Sequence, residues 1–428
     1  MVLSTKKLVT SALKKTELNI IKLPSGVTLV HREIKTSPVI IGDVWIDAGV
    51  TCEPHSWSGM AHFLEHMIFK GTKNVLPGEF DYMVENHGGY SNAATSHDYA
   101  HFFIATAEEY FASTLPYLSE MLLHAEIEEE EFYLERDVVL EEMRCALDDH
   151  DYIAYQQLCQ LMYQNHPYGR EILGKESLLL ATTANQMRCF HKTHYQPERM
   201  SVVMVGNINL DQALSLSSEC FAGFEVRSEC PAVDYDSIAP MVATHRQQLF
   251  LPRLEQSRLI MGWLGPSIED FRGAIALDII SLILAGSRNS RLVRNLREER
   301  QLVQSIQCDF SLQKHSSLLT ISACFPAPSL CAIENQIQQE IYTLQHQLIT
   351  ETELQTYQRS LLHDYIFSTE TPEQLASLYG YYQLLVDARW ALDYPELVLG
   401  LTREDIKNYA CRYLSPEYYA ICEVHGVN

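Results

Sequence analysis

The amino-acid sequence predicts an α+β fold made of two similar domains. Strand-like segments begin at Leu18 and lead into amphipathic helical segments, and a comparable order of elements recurs in the second half. Between the halves, residues 225–245 lose helical periodicity and contain two prolines. We therefore expect an N-terminal segment at 1–17, a first domain at 18–224, a linker at 225–245 and a second domain at 246–428.

The first half alternates strand and helix signals. Strands are expected in NIIKLPSGVTLVHREI, with a turn at PSG, and in PVIIGDVWIDAGV. A helix that Gly71 can end should follow, and EFDYMVENHGG predicts a short helix closed by its two glycines. The aromatic and threonine-rich residues 92–107 predict one long strand, residues 108–165 predict long amphipathic helices, and VVMVGNINLDQALSL predicts a buried strand, a turn and a helix.

The second half repeats this order. RLIMGWLG predicts a strand, and the residues from Asp270 to Ala285 predict a helix. A further helix should end near Arg300, followed by strands through Phe325, long helices and a final strand in YYAICEVHG. The two halves show no strong residue-by-residue identity, so the duplication is visible only in the size and order of the elements.

Composition excludes several classes of protein. The formal net charge of −23 disfavours binding to nucleic acid or to anionic membranes, and the sequence has no phosphate-binding loop and no apolar run near the length of a membrane span. The 11 cysteines are odd in number and lack CxxC pairs, as expected of reduced thiols. We expect a cytoplasmic protein. The lysine-rich, acid-free start MVLSTKKLVTSALKKT leaves an organelle matrix or stroma as the alternative.

The stretch HFLEHMIFKG contains the first candidate functional site. Residues four apart share one face of a helix, so His62 and His66 can present two imidazoles to one metal ion, with Glu65 beside them as a base for water. A polar patch on a helix surface is the alternative. A second pair, His97 and His101, has the same spacing but falls in the predicted strand. There the two would lie about 13 Å apart, so we expect structural roles for them.

A metal site needs a third protein ligand, and the acidic segment EEEEFYLERDVVLEEMRCALDDHD is the first place to look. On a helix, Glu135, Val139 and Glu142 share one stripe, whereas Glu141 points about 100° away from Glu142. Such a charge run is ordinarily a solvated face. Periodicity narrows the candidates to carboxylates on one stripe and does not choose among them.

Several motifs occur in the same order and spacing as in a known family. GMAHFLEHMIFKGT, NHGGYSNAATSHDYAHFF, ERDVVLEEMR and NHPYGREILG resemble the pitrilysin family of inverted zinc metallopeptidases, and in particular its shorter members related to mitochondrial processing peptidase. The resemblance runs from about residue 18 to beyond residue 300. It implies two domains, each a mostly antiparallel sheet with helices packed on one face, that together form half of a clam-shell chamber.

The resemblance also implies roles for individual residues. It makes His62 and His66 ligands of Zn²⁺, Glu142 the third ligand, Glu65 the general base and Glu135 an accessory catalytic carboxylate near the metal. The second domain carries no HxxEH and is expected to bind no metal.

Substrate-binding residues are implied in the same way. Phe69 resembles the residue that lines the pocket for the side chain after the scissile bond, with ordinary helix packing as the alternative. The strand at Asn92, Ala93 and Ala94 resembles the edge strand that aligns an extended peptide. The acidic residues at 128–131 and at 148, 149 and 151 can bind basic side chains or form a solvated face.

One departure from the family pattern concerns the partner. The segment GSRNSRLVRNLREERQLVQSI resembles the family's arginine and tyrosine segment, in which both residues contact the substrate. Arg297 fits the arginine, but Gln304 stands where the tyrosine is expected. A phenol is a good donor to a developing oxyanion, so this change favours a heterodimer in which a homologous subunit supplies the Arg and Tyr. A homodimer is the alternative.

Together these features predict a zinc endopeptidase that acts on short or unfolded peptides, such as presequences, transit-like segments or general oligopeptides. The acidic chain favours basic peptides as partners. The alternative function is that of a non-catalytic core subunit of an assembly.

Overall fold

A computed structural model describes residues 17–252 and 254–427. The predicted N-terminal segment 1–17 therefore lies outside the described residues except for its last position. The strands are β1 (Asn19–Lys22), β2 (Thr28–Glu33), β3 (Val39–Ile46), β4 (Tyr90–Thr95), β5 (Ala100–Ala107), β6 (Met200–Gly206), β7 (His245–Leu251), β8 (Ser257–Gly265), β9 (Ser305–Leu312), β10 (Ser317–Phe325) and β11 (Ala420–Gly426).

The α-helices of the first half precede residue 221. They are α1 (Met60–Ile68), α2 (Glu79–Asn86), α3 (Glu108–His124), α4 (Glu129–Ala146), α5 (His150–Tyr163), α6 (Glu176–Ala181), α7 (Ala184–His194) and α8 (Leu210–Cys220). Those of the second half are α9 (Phe271–Ala285), α10 (Leu330–His346), α11 (Glu351–Phe367), α12 (Pro372–Leu385), α13 (Arg389–Leu399) and α14 (Arg403–Tyr413). In the described part of the chain, none of the helices has both the length and the apolar character needed to cross a bilayer.

The strands form two sheets with related topology. The first has the order β1-β2-β6-β3-β5-β4, and the second has the order β7-β11-β8-β10-β9. All neighbouring strands pair antiparallel except β2 with β6 and β11 with β7. The predicted α+β fold with two similar, mostly antiparallel sheets is confirmed. Residues 222–244 between the sheets form neither helix nor strand, and this stretch contains most of the segment that we propose as the linker.

Each half also contributes one helix to the sheet of the other half. Alternate residues of β3 face opposite ways: Ile40 joins the core of the first half, whereas Ile41 and Trp45 join the core of the second half. There α12 packs on β3 so closely that a Cβ at Gly380 would overlap the indole of Trp45. In the same way α5 packs on β8 and β11. The two halves are therefore interlocked through buried apolar surface.

A polar contact fixes the β9–β10 turn against the first half. The hydroxyl of Tyr168 donates to both carboxylate oxygens of Asp98 at 2.8 Å and accepts the backbone N–H of His315 at 3.1 Å. Asp98 also accepts the backbone N–H of Lys314 at 3.1 Å. Tyr168 and Asp98 are buried, so these bonds replace the water that the polar atoms lose.

One local prediction was wrong, and one helix is present where it was expected but is of an unexpected type. Residues 92–107 are not one strand, because the chain turns between β4 and β5, with the N–H of Ser96 bonded to the carbonyl of Tyr99 at 2.7 Å. A Ser-His-Asp sequence suits such a turn but is hidden inside an aromatic run. The helix expected to end near Arg300 is a π-helix at Val293–Glu299.

Candidate metal centre

Helix α1 presents His62 and His66 on one face, with their ring centroids 4.8 Å apart. Gly59 precedes the helix with φ of 91°, a conformation that glycine adopts without strain. The buried carboxylate of Glu53 accepts the N–H groups of Gly59 at 3.0 Å and Ala61 at 2.7 Å. These bonds satisfy the free donors of the first turn and fix the start of the helix that carries both histidines.

Helix α4 brings Glu142 to the two histidines. Its Oε2 atom lies 3.6 Å from Nε2 of His62 and 3.4 Å from Nε2 of His66. The ligand atoms of all three residues lie within 4.8 Å of one another, and in the described residues this is the one group of three such side chains that could hold an ion. Two imidazole nitrogens and one carboxylate oxygen are the donor set of many zinc sites that keep an open position, so these residues fit Zn²⁺.

A second carboxylate orients one of these imidazoles. Oε1 of Glu135 lies 2.9 Å from Nδ1 of His66, and Oε2 of Glu135 lies 2.5 Å from Nζ of Lys70. Because a carboxylate accepts, Nδ1 of His66 carries the proton and Nε2 is left free to bind a metal. Lys70 was missed in the sequence. It lies just beyond the end of α1, and its position four residues after His66 is the signal that would have identified it.

The pKa values of the two histidines are shifted in opposite directions. Burial, together with the neighbouring His66, lowers the pKa of His62 to about 4, so His62 is neutral near pH 7, as a ligand must be. Burial also acts to lower the pKa of His66, but the hydrogen bond and the charge of Glu135, with the charge of Glu142, raise it above its ordinary value. The hydrogen bonds from His66 and Lys70 outweigh the burial of Glu135 and lower its pKa.

Glu65 lies on α1 between the two histidines, immediately before His66, and its side chain points toward β4. Its Oε2 accepts a hydrogen bond from Oγ1 of Thr95 at 2.5 Å. Burial raises the pKa of Glu65, and the hydrogen bond from Thr95 and the nearby His66 partly oppose that shift. Thr95 was not identified from the sequence, although it directly follows the predicted edge-strand residues.

The second histidine pair does not meet. His97 lies in the turn after β4 and places its Nε2 3.0 Å from the carbonyl of Arg170. His101 lies in β5 and places its Nδ1 3.1 Å from Oδ1 of Asp43. The two imidazoles therefore have separate partners and share no site.

The predicted substrate-binding residues of the first half lie around the cluster. Phe69 caps α1 and is partly buried, with its ring 5.8 Å from Phe80 and 5.9 Å from Phe102. The strand β4, which contains residues 92–94, is the outermost strand of its sheet, and the side chains at 92 and 94 are exposed. The acidic residues at 128–130, 148, 149 and 151 are also exposed, and Asp151 bridges Arg258 at 3.0 Å.

Among the described residues, the contact of the Arg297 side chain is with a neighbouring glutamate and not with the cluster. Arg297 lies in the π-helix of the second half, and its guanidinium bonds the adjacent Glu298 at 2.9 Å. Gln304 is exposed just before β9, and its backbone N–H donates to the carbonyl of Cys324 at 2.8 Å.

Comparison with known proteins identifies relatives over almost the whole chain. The chain is 28% identical to an uncharacterized zinc protease, YmxG, of Bacillus subtilis over 93% of this chain and 95% of that one. It is 29% identical to the zinc protease PqqE of Helicobacter pylori over 94% and 91% of the two chains. The crystal structure of a protease from Helicobacter pylori superposes with a TM-score of 0.88 at 25% identity, covering 96% of this chain and 99% of that one.

Family models and a larger structure agree with these relatives. Pitrilysin superposes with a TM-score of 0.79 at 17% identity, covering 96% of this chain and 45% of that one, which shows the shared fold. The model for insulinase, peptidase family M16, matches residues 29–176, and the model for the peptidase M16 inactive domain matches residues 181–361. The chain therefore belongs to peptidase family M16, the family of pitrilysin.

Proposed function

We propose that this chain is a zinc-dependent endopeptidase that cleaves short or unfolded peptides. The observation that carries the proposal is the cluster of His62, His66 and Glu142, whose ligand atoms lie within 4.8 Å of one another. Glu65 lies on the same helix as the two histidines. The zinc proteases among the bacterial relatives support the same chemistry.

The residues of the cluster have distinct tasks in this proposal. His62, His66 and Glu142 hold the metal, and zinc, when bound, supplies Lewis-acid chemistry that polarises a peptide carbonyl and acidifies water. Glu65 removes a proton from water and delivers one to the leaving amine. Its raised pKa suits both tasks, because a base that must also act as an acid works best with a pKa close to the working pH. Thr95 holds the carboxylate of Glu65 in place.

The substrate is proposed to bind as an extended strand along β4. This strand is at the edge of its sheet, so a peptide can pair with the backbone groups of the segment Asn92, Ala93 and Ala94 that point away from β5, once the N–H of Ala93 gives up its 2.9 Å bond to Oδ1 of Asn92. Backbone pairing requires an extended chain, which excludes folded segments and admits presequence-like or general oligopeptides. Phe69, whose ring lies 5.9 Å from that of Phe102 on β5, is proposed to line a side-chain pocket.

A second subunit completes the proposal. The side chain of Arg297 contacts Glu298, and Gln304 replaces the tyrosine of the family pattern, so a homologous subunit is proposed to supply an arginine and a tyrosine as donors to the substrate. A heterodimer meets this need directly. A homodimer that uses Gln304 or a nearby tyrosine is the alternative.

Hydrolysis of a quenched fluorescent basic peptide by the purified chain tests the function. Turnover that a chelator removes and zinc restores would support a peptidase that is sufficient alone or as a homodimer. Zinc binding without turnover, followed by turnover after a homologous subunit is added, would support the heterodimer. A chain that binds no zinc and cleaves nothing with or without that subunit would overturn the proposal in favour of a structural subunit.

A further inference from the structure

A row of aromatic rings lies on the face of the first sheet that α12 partly covers. His101 stacks on Trp45 with centroids 4.3 Å apart and is followed along β5 by Phe103 at 6.4 Å. Next to this row, on β4, Tyr90 is half exposed and donates its hydroxyl to Glu373 of α12. The row runs beside the edge strand on the side opposite the metal helix, and the proposed reaction does not use it.

One member of the row, His101, contacts a buried carboxylate. The side chain of Asp43 is 3% exposed, and among the residues that the structure describes its polar partner is Nδ1 of His101, at 3.1 Å. Since a carboxylate only accepts, Nδ1 of His101 carries a proton, and Nε2 can accept a hydrogen bond when the imidazole bears only that proton. With the imidazole in that form, the buried carboxylate of Asp43 has no charged partner, and a cation bound next to the imidazole would balance its charge.

The register of β4 against β5 puts the imidazole of His101 on a face of the sheet that a peptide bound along β4 can reach. His101 pairs with Ala94 of β4, and paired residues of antiparallel strands point to the same face of the sheet. A peptide added outside β4 would lie about 10 Å from β5, two strand spacings away. Ala94 is exposed and small, so a long side chain of that peptide can pass over it and reach the imidazole.

The charges around this position favour a cation. Asp43 lies behind His101, and Glu373 lies near the other end of the row, where it accepts the hydroxyl of Tyr90. The ring of Phe103, which is only partly buried, adds aromatic surface of the kind that attracts guanidinium and ammonium groups.

We propose that His101, backed by Asp43, forms a subsite that binds a lysine or arginine side chain of a peptide lying along β4. This subsite rests on the proposed function, because the peptide is assumed to lie along β4. If it is present, the peptidase would prefer substrates with basic side chains. His101 acts here as a specificity-determining residue and takes no part in bond cleavage.

Binding of matched peptides to the Glu65→Gln chain tests the subsite without cleavage. One fluorescent peptide carries a single arginine, moved along the sequence, and its partner carries norleucine, which is neutral, at the same place. Fluorescence anisotropy should show roughly tenfold tighter binding of the arginine peptide at one position, as expected of a charge-assisted contact. Adding Asp43→Asn should reduce that ratio to about twofold or less, whereas Asp211→Asn, which removes an exposed charge on α8, should leave it unchanged.

A second variant keeps the proposal testable if Asp43→Asn does not fold. Ala94→Leu, at an exposed edge position, narrows the passage to His101 and should weaken arginine binding more than norleucine binding. The proposal would be overturned if the preference for the arginine peptide over the norleucine peptide were the same in the Glu65→Gln parent, in Asp43→Asn and in Asp211→Asn. A preference for a glutamate peptide, or no peptide binding at all, would overturn it as well. If the arginine peptide is preferred but the native chain hydrolyses no peptide, the subsite is supported and the proposed peptidase function is not.

Discussion

Oγ1 of Thr95 lies 2.5 Å from Oε2 of Glu65, so the last residue of the edge strand β4 holds the proposed base of helix α1. This contact connects the strand on which a peptide is expected to lie with the group that acts on water. Thr95→Val keeps the shape and removes the donor, and it should lower kcat by about tenfold or more, because the carboxylate loses its fixed orientation. Thr95→Ser restores the donor and should recover most of the rate. Equal rates for Val and Ser variants would show that the contact is incidental.

Glu65→Gln separates metal binding from chemistry. The amide has nearly the shape of the carboxylate but cannot accept a proton from water, so hydrolysis should fall by at least about a hundredfold. Zinc content should stay at the native level, because Glu65 is not one of the three proposed ligands. Metal analysis and a peptide assay on the same sample measure both quantities, and substantial remaining turnover would remove Glu65 from the role of base.

Glu135→Gln tests the carboxylate that orients His66. The variant loses the charge that holds the Nδ1 proton and also loses the ion pair with Lys70 at 2.5 Å. Zinc affinity should fall by about 10 to 100-fold, the usual effect of removing such a partner of a ligand histidine. Competition with a chelating dye measures the affinity. Glu141→Gln, on the exposed side of α4, is the control and should bind zinc as the native chain does.

The pH dependence of zinc binding follows from the same pair. A ligand imidazole must be neutral, and Glu135 and Glu142 raise the pKa of His66 against the opposing effect of burial. As the pH falls through this raised pKa, protons compete for His66 and zinc affinity drops, beginning at a higher pH than for an ordinary histidine. Glu135→Gln should move the drop to lower pH. The prediction fails if titrations of the native chain and the variant fall at the same pH.

The polar contact between the halves predicts a stability effect. Tyr168→Phe leaves Asp98 and the N–H of His315 without their shared hydroxyl, at a cost of about 1 to 3 kcal/mol in the free energy of unfolding. Tyr82→Phe, at a position 65% exposed, is the matched control and should be near neutral. Urea unfolding followed by circular dichroism measures both. A cost for Tyr168→Phe no larger than for the control would mean that the contact does not fix the β9–β10 turn.

Local spacing predicted much of what surrounds the metal cluster. His62 and His66 lie on one helical face because they are four residues apart, and Glu135 and Glu142 share a stripe of α4 for the same reason. Periodicity alone did not choose between the two carboxylates, since both point the same way and only the three-dimensional placement of α4 beside α1 separates their contacts.

Features that depend on distant parts of the chain were not predictable in this way. The pairing of His101 with Asp43 joins residues 58 positions apart and depends on the register of β3 against β5. The packing of α12 on the first sheet requires the small Gly380 beneath Trp45, a fit that no local pattern shows. The turn between β4 and β5 was missed because its residues lie inside a run that is otherwise typical of a strand.

Zinc stoichiometry of four purified chains tests the central claim most directly. The native chain and Glu65→Gln should each hold close to one zinc ion per chain, whereas His66→Ala and Glu142→Ala should hold far less, because each loses one of three ligands. Elemental analysis after dialysis against metal-free buffer gives these values. A native chain without zinc, or unchanged zinc in both ligand variants, would contradict the assignment of this cluster as the metal centre.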